Sequence, residues 1–193
     1  MESAPSYRDA NRARLRDSLV DAARELTVRH GWGRVRMADV AKAAGVSRQT
    51  VYNEFDGRDG LAQALAAREI ERFTVAVRER LREHGADVRA AAHAAILHTL
   101  TEADQNPLVR SILAGAPDEL LPFLTTRSDL LLSAAGAVID EWAAASLPDA
   151  DPAVVALAGE SIVRLTVSHV VRPSADTATA ASALAEVFVR LLR

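Results

Sequence analysis

The stretch from Val35 to Phe55 constrains this chain more than any other. Met37, Val40, Ala41 and Ala44 recur at helical spacing for about two turns, and Gly45 then breaks the pattern. Ser47 is well suited to start a second short helix, on which Val51 and Phe55 (i, i+4) share one face. Two short helices joined by a tight glycine-containing turn form a helix-turn-helix. In that arrangement one helix braces the other, and the exposed side chains of the second enter a DNA major groove. The side chains left exposed here suit the task. Arg48 can address guanine edges or phosphate, Gln49 and Asn53 are amides able to read adenine, and Thr50 and Tyr52 carry hydroxyls for phosphate. A solvated helical hairpin would show a similar polar face, so these residue types alone leave both readings open.

The flanking sequence is helical as well. Of 193 residues, 39 are alanine, the strongest helix former, and aromatics make up only 4%. A helical pattern runs from about residue 10 to 30, with Leu15, Leu19, Ala22, Ala23 and Leu26 on one stripe, and Gly31 and Gly33 end it. Residues 1–9 read as a polar arm carrying Arg8; Arg12 and Arg14 follow it. Trp32 plugs the small core that Val40, Val46, Val51 and Phe55 complete. Further helices are expected at about 58–83, 87–103, 106–114, 117–124, 127–147, 152–171 and 176–192. Pro107 and Pro117 fall at first-turn positions, Gly115 ends a helix, and Asp87, Ser174 or Asp176 serve as caps. The expected fold class is all-α.

Charge and composition narrow the function. Residues 1–60 carry 11 basic and 9 acidic groups, while residues 61–193 carry 12 and 17. The balance excludes a nonspecific nucleic-acid coat but leaves room for a local basic face. There is no cysteine, so disulfides, thiolate metal sites and thiol nucleophiles are excluded. His93 and His98 stand five apart, about 140° around a helix, and form no metal site. Nothing fixes a nucleophile, a base and an orienting group together, and no glycine-rich phosphate loop is present, so neither catalysis nor a cofactor is expected. The N-terminal residues show no apolar signal segment, and no uninterrupted apolar run is long enough to span a bilayer. A cytoplasmic protein without membrane contact is expected.

The segment from Gly31 to Leu61, GWGRVRMADVAKAAGVSRQTVYNEFDGRDGL, resembles the tetracycline-repressor (TetR) family of bacterial transcription regulators. Gly31, Trp32, Asp39, Val40, Ala41, Ala44, Gly45, Val46, Ser47, Thr50, Val51, Tyr52, Phe55 and Leu61 fall on the family pattern. Two positions depart from it. Arg36 stands where a Ser or Thr usually starts the first helix of the pair, and Arg58 replaces the usual lysine ahead of the long helix. The resemblance implies a three-helix DNA-binding domain over residues 1–57 and a helical effector-binding and dimerisation domain over 58–193. It assigns double-stranded operator DNA to Arg36, Arg48, Gln49, Thr50, Tyr52, Asn53 and Arg58.

In such proteins a small molecule enters the second domain and changes the spacing of the reading helices. The apolar positions expected to bound that pocket are Phe73, Val77, Ile96, Leu100, Ile112, Phe123, Leu124, Leu131 and Trp142, with Arg127 as a polar contact. His93, His98, Thr99, Asn106 and Glu141 are further polar candidates. The segments Gln105–Arg110 and LLPFLTTRSDLLL look like those of actinobacterial members, some of which control lipid, fatty-acid or hydrocarbon metabolism. The expected effector is therefore a mostly apolar molecule such as a lipid or fatty-acid derivative, with an aromatic drug-like molecule as the competitor. A homodimer is expected through the last two helices, with Leu157, Ile162, Leu165, Leu184, Phe188 and Leu191 at the interface.

Overall fold

A computed structural model describes residues 7–114 and 120–193. Among them the regular elements are helical. The chain runs through α1 (Tyr7–His30), a 3-10 turn (Trp32–Arg34), α2 (Met37–Ala43), α3 (Arg48–Phe55) and α4 (Arg58–His84). It continues through α5 (Val88–Gln105), α6 (Pro107–Ala114), a 3-10 turn (Leu121–Leu124), α7 (Asp129–Ser146), α8 (Pro152–Val171) and α9 (Thr177–Leu191).

The caps explain most boundaries. Ser47, Asp87, Asp151 and Asp176 each accept a backbone N–H from the first turn that follows them, at the starts of α3, α5, α8 and α9. Asp176, not Ser174, is therefore the cap of α9. Pro107 opens α6 and Pro152 opens α8, where a missing N–H is harmless. Helix α1 starts at Tyr7, so the end of the expected arm is already helical. The helix expected at 117–124 is replaced, in its described part, by the 3-10 turn Leu121–Leu124. The amides of Thr125 and Arg127 both donate to the Pro122 carbonyl, at 3.0 and 2.7 Å. That closure delays α7 to Asp129. Gly115 and Pro117 lie outside the described residues.

Two cores organise the chain. The first joins Leu19, Val20 and Ala23 of α1 to Trp32, Val40, Val51 and Phe55. It continues through Leu61 and Leu65 of α4 into Leu108, Ile112, Leu120 and Phe123. The expected domain boundary at 57/58 coincides with the start of α4, but the packing runs on past it. The second core is built from α5, α7, α8 and α9, around Trp142 and Phe188 and many alanines. Its seam is close: a Cβ on Gly159 of α8 would lie 3.3 Å from Ile139 of α7. Among the described residues one helix, α8, is long and apolar enough to cross a membrane. Its Ala158, Gly159, Ile162 and Thr166 are buried within the bundle.

Candidate DNA interface and effector cavity

Helix α3 is fixed at both ends. At its start the Ser47 hydroxyl accepts from Thr50 N at 3.1 Å. At its end Asp56 adopts a left-handed conformation (φ 52°) and its N–H donates to the Tyr52 carbonyl. Val51 and Phe55 are buried, so the geometry turns Arg48, Gln49, Tyr52 and Asn53 outward and leaves Thr50 half-buried. The outward side chains form two pairs. The Arg48 guanidinium lies 5.2 Å from the centre of the Tyr52 ring and donates to its hydroxyl at 3.2 Å. That bond holds the Arg48 pKa above its ordinary value. Gln49 Nε2 donates to Asn53 Oδ1 at 2.9 Å. Groups able to read bases and groups able to hold phosphate thus stand in one exposed row.

Helix α1 clamps the far end of α3, a feature the sequence reading did not anticipate. Arg12 Nε donates to both carboxylate oxygens of Glu54, at 3.1 and 3.0 Å. Arg16 donates to the Glu54 carbonyl and stacks 4.4 Å from the Phe55 ring centre. The available signal was the i, i+4 spacing of the two arginines on the polar face of α1. On the other side, α4 meets α3 backbone to backbone. A Cβ on Gly60 would fall 1.8 Å from the Phe55 carbonyl oxygen, so the approach requires glycine.

The two arginines that depart from the family pattern are placed differently. Arg36 precedes α2, makes no capping bond with its side chain, and is exposed. Arg58 is half-buried: its Nη2 donates to the Trp32 carbonyl at 2.5 Å and its guanidinium lies 5.2 Å from the Trp32 ring centre. It ties the head of α4 to the fully buried tryptophan.

Beyond the head, a cavity of about 190 Å³ lies within the helices from α4 onward. Eight of the expected positions line it: Phe73, Val77, Ile96, Ile112, Phe123, Leu124, Leu131 and Trp142. Two do not. Leu100 is buried in the second core away from the cavity. Arg127 is exposed, pairs with Asp59 at 3.2 Å and covers the Phe123 ring at 4.7 Å. Phe123 itself lines the cavity, and an exposed cation has no reason to enter an apolar space. Two positions expected at a dimer interface are also displaced. Ile162 and Phe188 are buried and line the cavity, Phe188 lying against Trp142 with ring centres 6.3 Å apart. Both helices are apolar on more than one face, so periodicity did not decide which side faces inward. Leu157, Leu165 and Leu191 are 66%, 42% and 38% exposed, and Leu184 is half-buried.

Of the polar candidates, Thr99 lines the cavity, whereas Glu141 is an exposed partner of Arg78 and Arg82. His93, His98 and Asn106 are not among the lining residues. The cavity carries one acidic group that was not expected, Glu69 of α4, which is 8% exposed. Arg24 Nε of α1 donates to it at 2.9 Å and Asn106 Nδ2 at 3.3 Å. Asn106 Oδ1 in turn accepts from Leu108 N at 2.9 Å at the start of α6. One carboxylate therefore touches the cavity and joins α1, α4 and α6.

Comparison with known proteins finds family matches in both halves of the chain. Residues 19–65 match the model of bacterial regulatory proteins of the tetR family, and residues 87–190 match the bacterial tetracyclin repressor C-terminal domain. The chain is 38% identical over 182 residues to the HTH-type transcriptional regulator AlkX of Mycobacterium tuberculosis, covering 91% of this chain and 84% of the relative. It is 33% identical to the crystal structure of the TetR family repressor AlkX from a Dietzia strain, implicated in biodegradation of n-alkanes. The TM-score is 0.76, with 91% of this chain and 94% of that chain covered. RolR, solved in complex with resorcinol, shares the fold at a TM-score of 0.71 and 18% identity, over 95% of this chain and 89% of that one. The chain is thus a helix-turn-helix DNA-binding transcription regulator and belongs to the tetracycline-repressor (TetR) family.

Proposed function

We propose that this chain is a cytoplasmic repressor that holds a palindromic operator as a homodimer and leaves it when an apolar small molecule enters the cavity. The observation that carries this reading is the junction at Glu69. The same side chain forms part of the cavity wall and binds Arg24 of the helix that clamps α3. A ligand that displaces this wall acts on a helix of the DNA-binding head. It weakens operator binding only to the extent that it prefers the displaced conformation.

Residues 1–57 form the reading domain in this proposal and residues 58–193 the effector and dimerisation domain. Arg48, Gln49, Thr50, Tyr52 and Asn53 meet the major groove, with Arg36 on the DNA backbone. Arg58 acts there too if its bond to Trp32 gives way to a phosphate. Leu157, Leu165 and Leu191, with Val187, supply the exposed apolar patch of α8 and α9 for a second copy. A two-fold dimer sets its reading helices on half-sites about 34 Å apart or a multiple of that.

The hydrocarbon context of the Dietzia relative supports an alkyl effector over an aromatic one. Each buried methylene contributes about 0.8 kcal/mol, roughly a fourfold gain in affinity. Fluorescence anisotropy on the chain's own promoter DNA tests the reading. Alkyl compounds of increasing length should release the DNA at falling concentrations until the cavity is full. Release that is independent of chain length, or no release by any alkyl compound, would overturn it.

A further inference from the structure

Glu54 puts a carboxylate on a helix whose other outward side chains suit DNA. The buried Val51 and Phe55 define the inner side of α3. At about 100° per residue, Asn53 lies opposite them, and Tyr52 and Glu54 stand about 80° to either side of the inward direction. A helix about 10–12 Å across fills a major groove about 12 Å wide, so its two flanks face the two phosphate strands. Tyr52 brings a hydroxyl to one strand. Glu54 alone would bring a negative charge to the other, and like charges repel.

Helix α1 reverses that charge. Arg12 and Arg16, one turn apart, converge on Glu54, so two guanidinium groups meet one carboxylate. Their surroundings differ. Arg16 is engaged within the protein, on the Glu54 carbonyl and the Phe55 ring. Arg12 holds both Glu54 carboxylate oxygens through Nε alone, at 3.1 and 3.0 Å. Its Nη groups meet no acceptor among the described residues, which leaves the donors of the fork available. The Glu54 side chain is 11% exposed and that of Arg12 is 65% exposed. The carboxylate is thus sheltered, and the guanidinium it orients is open to solvent beside α3.

We propose that Arg12 is a phosphate contact of the operator, that Glu54 positions it, and that it holds the strand opposite the one Tyr52 meets. This rests on α3 entering the major groove, as proposed above, and adds a residue of α1 to that interface. A guanidinium fork matches a phosphate in shape and charge. Its bond to Glu54 fixes a side chain that would otherwise lose rotamer freedom on binding. Contacts on both strands set the rotation of α3 about its own axis, and with it the aim of Gln49 and Asn53 at the base edges.

The test is a methylphosphonate scan of the chain's own promoter DNA, with half-sites located by footprinting and each phosphate neutralised in turn. Anisotropy over a range of salt reads the affinity of the full-length protein. The variants are Arg12→Gln, Glu54→Gln and Tyr52→Phe, with melting curves and sedimentation to verify fold and assembly. Arg12→Gln should weaken all DNA sites alike and lower the salt slope by about 0.9 per half-site. It should also abolish the effect of neutralising one phosphate, roughly tenfold in the wild type, on the strand opposite the phosphate silenced by Tyr52→Phe. Glu54→Gln should keep the slope but reduce the effect of the Arg12 phosphate to about threefold or less. Arg12→Gln with the wild-type slope and pattern, a loss spread evenly over all phosphates, or a silenced phosphate on the strand Tyr52 meets would overturn the contact. A full phosphate effect in Glu54→Gln would overturn the positioning role. If Tyr52→Phe also silences no phosphate, the placement of α3 in the groove falls as well.

Discussion

The DNA-binding head and the effector bundle are both helical, yet they are packed on opposite plans. The head has large side chains sealed against one another: Trp32, Leu19, Val40 and Val51 are essentially inaccessible to solvent. The bundle spends much of its interior on alanine, at positions such as Ala91, Ala95, Ala158 and Ala181, and encloses a space of about 190 Å³. Tight interdigitation yields a single conformation, because any displacement meets hard contacts. Small side chains around a void allow neighbouring helices to settle in more than one way. One region is packed to hold a surface still, while the other leaves its helices room to shift.

The contrast is most directly broken at Trp32. Trp32→Ala should lower the unfolding free energy by about 3–5 kcal/mol and abolish promoter binding, read by denaturant titration and anisotropy. Next comes a pair of small-to-large changes. Ala23→Leu in the head has no space to enter and should cost about 1–3 kcal/mol, whereas Ala135→Leu, on the cavity wall, should cost under about 1 kcal/mol. Ala135→Leu should instead reduce effector affinity about tenfold, and equal costs at the two sites would deny the contrast. On the reading surface, Arg36→Ala should weaken all DNA sites alike and lower the salt slope by about one. Gln49→Ala should instead change the preference among sites, and a binding-site selection distinguishes the two.

The smallest effect concerns Glu141, which joins α7 to α4. Its bond from Arg78, with help from Arg82, holds its carboxyl below the ordinary value. A depressed folded pKa stabilises above the unfolded value, about 4.3 for Glu, and the benefit is lost as pH falls through the folded one. Glu141→Gln should therefore melt slightly below the wild type at neutral pH, and the difference should vanish on acidification below about pH 4.

The head was legible in the sequence because its determinants are local. Ser47 precedes Thr50 by three residues, Val51 and Phe55 are one turn apart, and Gly45 breaks α2 where it stands. What escaped notice joins distant segments. Arg12 and Glu54 are 42 residues apart, and Arg24 and Glu69 are 45 apart. No periodicity announces such pairs. The bundle was legible as helices but not by face. Ile162 and Phe188 sit on helices whose apolar residues wrap more than half the circumference, so the inner side is fixed only by the neighbours. Arg127 was misplaced because a charge beside apolar residues reads equally as a pocket group or as an outward cap on an aromatic ring.

The backbone contact at Gly60 sets the mechanical gain of the molecule. With no side chain between them, the end of α3 rests on the head of α4 without a compliant layer, and the two turn together. Helix α4 has 27 residues and is about 40 Å long. If it pivots near its far end, a tilt of about 5° sweeps the reading helix through about 3.5 Å, a large part of the depth over which a side chain meets a base edge. Replacing Gly60 with alanine would insert a spacer into that joint, and the same tilt would no longer be delivered in full to the groove.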